Sequence, residues 1–198
     1  MSKWILPIMG FTETKALPTG IERIWRELKP LDGGNISVCD PFEWDDDVSG
    51  FARFMRRNST GDCELLAFAY SWGCGQAFCT LAEECEALGI TIRVALLCDP
   101  VYRSRLFPVW LPFNPLSLTA LPTIRIPASV ERVEWVRQVK DWPRGHNPAA
   151  KNPDLTHIGN GRYLEYTHGT IDDSPHFREM VYQEAVNFVH QPAEHTHP

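Results

Sequence analysis

Ser71 lies in the stretch Ala69-Tyr70-Ser71-Trp72-Gly73. A small-x-Ser-x-Gly spacing suits a serine on a sharp turn from a strand into a helix. Such a turn strains the serine backbone and lifts its Oγ above the sheet edge, and the residues two before and two after must be small to clear neighbouring elements. The helix N-terminus just beyond adds a field that favours an oxyanion. A serine hydroxyl needs a base to take its proton, and the base needs an acid to orient it. On sheets that present a serine this way, the chain order is Ser, then Asp or Glu, then His. Asp99 closes the next apolar run and leads as the acid; Asp141, after the following run, is the alternative. His168, late in the chain and ahead of a final helical pattern, leads as the base. His146, His157 and His176 are loop or helix-start alternatives, and His190, His195 and His197 lie too near the tail. Two backbone N–H groups would meet the oxyanion. One belongs to Trp72, directly after the serine. The other belongs to Phe11, in the Met9-Gly10-Phe11-Thr12 loop, where Gly10 permits close approach.

The elements that must position these groups are readable from periodicity. Short apolar runs at residues 3–8, 35–39, 64–69 and 90–98 read as strands. Helical spacing appears over residues 20–28, 48–55, 73–88 and 174–190, and Gly89 is a stop signal. Asp45-Asp46-Asp47 stands where carboxylates cap a helix N-terminus. Residues 133–139 resume strand character, 141–160 read as loop, and 162–166 as a short last strand. Asp172 and Asp173 read as caps of the closing helix. Alternating helices and near-continuous apolar strands imply an α/β fold with a mainly parallel sheet covered by helices on both faces. Residues 101–127 break the pattern. They are rich in proline and large apolar side chains, and read as an irregular lid-like insertion. We expect one domain over residues 1–190 and a flexible tail at 191–198.

Composition narrows the function classes. The 198 residues suit one sizeable core, and the formal net charge of -6 gives no electrostatic reason to expect nucleic acid. No apolar run is long enough to span a bilayer. The six cysteines form no Cys-x-x-Cys pair and no zinc spacing, so they read as free thiols of a cytoplasmic protein, with no metal or cofactor expected. Gly73-Cys74-Gly75 lacks the Lys-Ser/Thr ending of a phosphate loop.

The elbow at Ser71, the Gly10-Phe11 loop, the strand-end Asp99 and the late His168 together resemble the α/β-hydrolase superfamily, in particular its small lipase, esterase and thioesterase members. The resemblance runs over almost the whole chain. Ala69 stands where most members have Gly, and Met9 where lipases often have His before Gly. It implies a single-domain α/β-hydrolase-type fold and a serine esterase or lipase-like hydrolase. Ser71 would form an acyl-enzyme, with His168 as base, Asp99 as acid, and Phe11 and Trp72 as oxyanion donors. Phe107, Trp110 and Phe113 would line an apolar acyl pocket. The partner would be a small-molecule acyl ester or thioester. A thioesterase or acyltransferase with the same triad, or a non-catalytic interaction protein on this scaffold, are the alternative readings.

Overall fold

The computed structural model describes residues 1–11, 13, 19–102 and 123–191. The order is β1 (Ser2–Ile8), α1 (Gly20–Leu28), β2 (Ile36–Val38), α2 (Val48–Asn58) and β3 (Cys63–Tyr70). A π-helical turn (Gly73–Phe78) then leads into α3 (Cys79–Leu88), followed by β4 (Thr91–Cys98), β5 (Ile124–Ile126), β6 (Arg132–Gln138) and β7 (Pro148–Ala150). β8 (His157–Ile158), β9 (Arg162–Leu164) and α4 (Pro175–His190) close the described chain.

Seven of the described strands form one sheet in the order β2-β1-β3-β4-β6-β8, with β9 also on β6. Every pairing in it is parallel. β1 and β3 are buried over nearly their whole length, which is why they read as continuous apolar runs rather than as alternation. Leu6, Leu65, Ala67 and Leu97 face α2 and α3; Ile5, Leu66, Phe68 and Leu96 face α1 and α4. This is the α/β architecture expected from the sequence, a mainly parallel sheet with helices on both faces.

Local chemistry sets the ends of the elements. Thr19 and Ser174 cap α1 and α4, and Asp47 accepts the Gly50 N–H at the start of α2. Asp46 accepts the Glu43 N–H, so the acidic run serves the turn and the cap. Gly89 ends α3 in the left-handed region at φ 65°. At the start of β4 the register slips between Leu65 and Leu66, which pair with Ile92 and Val94. Arg93 is the extra residue, and its guanidinium reaches Glu64 and Glu131 at 2.8–2.9 Å.

Three sequence expectations are corrected. The helix after Ser71 opens as a π turn over Gly73–Phe78 and becomes α-helix only from Cys79. The stretch 141–160 is not all loop: β7 pairs with β5 in a small second sheet, and β8 joins the main one. Their apolar runs are too short to show a period. Asp172 does not cap α4, whose cap is Ser174; its side chain accepts the N–H of Gly20 at the start of α1. The insertion expected at 101–127 lies mostly outside the described residues, as does the tail beyond Gln191. No described helix is long and apolar enough to cross a membrane.

Lys3 is the charged exception in a buried strand, at 2% exposure. Its ammonium donates to the carbonyls of Phe188 (2.6 Å) and Gln191 (2.6 Å) at the end of α4. That satisfies helix-end acceptors with a cation at the negative end of the dipole. Lys3→Met is expected to cost about 1.5–3 kcal/mol, because it leaves those carbonyls without their charged donor. Urea denaturation followed by far-UV circular dichroism measures it.

Candidate active site

The C-terminal ends of the strands assemble the site. Ser71 directly follows β3 and Asp99 directly follows β4, and both have positive φ, 53° and 43°. Aspartate tolerates that region better than serine does, and such conformations persist only where surrounding contacts over-determine them. Here the contacts are backbone hydrogen bonds between neighbouring strand ends. The Ser71 N–H donates to Cys98 O at 3.0 Å, the Val101 N–H to Ser71 O at 3.0 Å, and the Asp99 N–H to Val136 O at 2.8 Å.

Small residues let the turn close. A Cβ on Gly73 would stand 2.4 Å from Met9 O, and one on Gly75 only 1.9 Å from Val101 O. Ala69 is fully buried against the α2 and α3 face. The steric demand inferred from the five-residue spacing therefore has named neighbours behind it.

Ser71, His168 and Asp99 converge. Ser71 Oγ is 2.9 Å from His168 Nε2, and His168 Nδ1 is 2.5 Å from Asp99 Oδ2. A carboxylate only accepts, so the ring proton sits on Nδ1 and Nε2 accepts from the Ser71 hydroxyl. Asp99 is fully buried. Its second oxygen, Oδ1, accepts the N–H groups of Gly145 (3.1 Å) and Gln138 (3.2 Å). Burying that charge requires such compensation. Asp141 takes a different place: its Oδ1 accepts the His168 backbone N–H at 2.7 Å, so it holds the loop that carries the imidazole. Tyr70 holds the same loop from the other side, donating its hydroxyl to His168 O. Burial, and then nearby acidic groups, push the Tyr70 phenol well up, so it remains a donor.

The other histidines lie elsewhere. His146 is buried, and its Nδ1 accepts the Tyr102 N–H at 3.0 Å. His157 is in β8 and His176 in α4. Burial raises the Cys74 and Cys98 thiols well above their ordinary value, so neither offers a thiolate beside the serine. All six cysteines are free thiols. Among the described residues no group of three or more His, Cys, Asp or Glu is placed to hold a metal ion.

Gly10 abuts the serine: a Cβ on it would stand 3.0 Å from Ser71 Cβ and 2.7 Å from the Tyr70 ring. Phe11 follows it, with its ring centroid 4.3 Å from that of Trp72 and 5.7 Å from that of Trp44. Phe11 remains 38% exposed, whereas Trp44 and Trp72 are buried. Phe107, Trp110 and Phe113 lie outside the described residues.

Several site residues escape a sequence reading. Gln138 is buried and braces the Asp141 loop, donating to Asp141 O (2.9 Å) and Pro143 O (3.0 Å) and accepting the Asp141 N–H (3.0 Å). That same loop delivers the Gly145 N–H to Asp99. A glutamine at the end of an apolar strand was the available signal. Gly145 and Tyr70 gave none, because each acts through a partner distant in sequence.

No family model matches the chain, and no curated protein matches it. Among solved structures it is similar to ClbQ from the colibactin NRPS/PKS pathway, at 12% identity and TM-score 0.49, covering 96% of this chain and 98% of that one. It is similar to the surfactin thioesterase domain SrfTE at 12% identity and TM-score 0.49, covering 97% and 93%. The RedJ thioesterase of the prodiginine pathway in Streptomyces coelicolor gives 11% identity and TM-score 0.49, covering 93% and 85%. Likenesses of that degree decide neither reaction nor substrate.

Gly145→Ala would place its Cβ 2.4 Å from Asp99 Oδ1 and push the carboxylate off the imidazole. The expected result is loss of the far-downfield proton NMR signal of a His168 Nδ1–H held against Asp99. An unshifted signal in the folded variant would show that the contact is not made.

Proposed function

We propose that this protein is a serine hydrolase that cleaves carboxylic esters through an acyl-enzyme on Ser71. The observation that carries the reading is the unbroken line from Ser71 Oγ to His168 to Asp99, with spacings of 2.9 Å and 2.5 Å. A hydroxyl, an imidazole and a buried carboxylate at hydrogen-bond distance form the arrangement that nucleophilic acyl transfer needs.

In the first half-reaction Ser71 Oγ attacks the carbonyl carbon as His168 Nε2 takes its proton. Asp99 holds the tautomer and balances the imidazolium that forms. The carbonyl π electrons move to oxygen, and that oxyanion is met by the backbone N–H groups of Trp72 and Phe11. Support for the Trp72 donor is its place directly after Ser71 at the opening of a helix, where N–H groups and the dipole favour negative charge. Support for the Phe11 donor is the close approach of Gly10 to Ser71. Collapse breaks the bond to the leaving group, which departs with the proton from His168. Water then attacks the acyl-enzyme, with His168 acting as base again, and releases the acid. The Phe11 ring, open to solvent above Trp72 and Trp44, gives an apolar group of the substrate something to rest on.

A fluorophosphonate probe tests the nucleophile. Labelling of the wild type should vanish in Ser71→Ala, and a folded wild type that never labels would overturn the reading. Acid assignment is tested by nitrophenyl ester hydrolysis. Asp99→Asn should lower kcat by roughly 10⁴-fold through the wrong tautomer. Asp141→Asn, which keeps an acceptor for the His168 N–H, should change kcat far less; equal losses would show that the two carboxylates share the role. The same variants assayed on acyl-thioesters distinguish an oxygen from a sulfur leaving group.

A further inference from the structure

His146 has no part in the chemistry above, yet it stands against the segment that carries the acid. It is 2% exposed, and it follows Gly145, whose N–H donates to Asp99 Oδ1 at 3.1 Å. Its own backbone N–H donates to Pro100 O at 2.5 Å, and its ring Nδ1 accepts the Tyr102 N–H at 3.0 Å. Three hydrogen bonds thus lay residues 145–146 along residues 99–102.

Residues 99–102 join the acid to the nucleophile turn. Asp99 opens the segment and meets His168 Nδ1. The Val101 N–H donates to Ser71 O at 3.0 Å. Val101 is fully buried with Trp44 and Trp72, and Tyr102 forms a parallel β-bridge with Gly75. A Cβ on Gly75 would stand 1.9 Å from Val101 O, so the segment has no slack on that side. Gly145 and His146 hold it on the other. Their backbone donors are common to every residue but proline. The contact at Nδ1 is the one that depends on the histidine side chain.

That contact fixes the state of the ring. A backbone N–H only donates, so Nδ1 must offer a lone pair. The imidazole is then neutral and carries its proton on Nε2. His168 holds the opposite tautomer, with its proton on Nδ1 towards Asp99.

We propose that His146 is a positioning residue whose neutral imidazole locks the 99–102 segment and so sets the acid and the nucleophile in register. The lock rests on the serine-hydrolase reading of Ser71. His146 acts through Tyr102 and Asp99 and donates nothing to the reacting atoms. Without the Nδ1 acceptor the Tyr102 N–H loses its ring partner, and a donor left unsatisfied in a buried place is costly. The segment shifts to relieve it, and Asp99 moves with the segment away from the imidazole of His168.

Two variants separate the ring contact from packing. In His146→Asn, Oδ1 stands where Nδ1 stood and can accept the Tyr102 N–H. His146→Leu fills much of the same space and accepts nothing. In nitrophenyl ester hydrolysis His146→Leu should lower kcat by about tenfold to a hundredfold with KM steady, as a small misplacement of catalytic groups does. It should also weaken the far-downfield proton signal of the His168 Nδ1–H. His146→Asn should keep both close to wild type. A folded His146→Leu with wild-type kcat and signal overturns the lock, and so do equal losses in the two variants. Long-range proton–nitrogen correlation NMR of the wild-type imidazoles decides even where His146→Leu does not fold. It should place the His146 proton on Nε2 and the His168 proton on Nδ1; a His146 proton on Nδ1 overturns the lock. A folded wild type that never labels with fluorophosphonate overturns the serine reading and the lock's catalytic consequence, while the His146 tautomer still reports on the contact itself.

Discussion

The site depends on hydrogen bonds that step sideways across the ends of adjacent parallel strands. The Ser71 N–H reaches the last carbonyl of β4, and the Asp99 N–H reaches a carbonyl of β6. Each step fixes a residue with positive φ just past its strand. Strands in such a sheet lie about 4.8 Å apart. Ser71 and Asp99 therefore stand on neighbouring rails, with room between them for one imidazole. Strain at both positions is tolerated because the sheet below is buried on both faces and does not yield. The glycines after Ser71 follow from the same constraint. Once the turn is pinned, the backbone carbonyls of Met9 and Val101 leave no room for a Cβ.

Burial raises the chemical stakes at this edge. Asp99 is fully enclosed and receives two backbone N–H groups besides the imidazole. One of them comes from a loop that Gln138 braces and Asp141 links to His168. Asp99, His168 and their supports form a closed set in which each polar group answers another.

Much of the fold is legible in the sequence because buried parallel strands are written as apolar runs and helices as spaced ones. β1, β3, β4 and the four described α-helices fall close to their expected places. β7 and β8 do not, because two or three residues carry no period and their pairing is decided by chain segments far away. Arg93 is a similar case. It sits at a register shift in β4, and its guanidinium pairs with Glu64 and Glu131, which lie far from it in the chain.

The sequence by itself determined the strand, turn and helix around Ser71 and the order Ser71, Asp99, His168 along the chain. These are local matters: small residues at fixed spacing, an apolar run before and a helical pattern after. Which carboxylate faces the imidazole was decided only by tertiary structure. Asp99 and Asp141 both follow strands that reach the same sheet edge, and sequence order does not tell them apart. The sheet aims Asp99 at the ring and leaves Asp141 on the backbone of the same histidine.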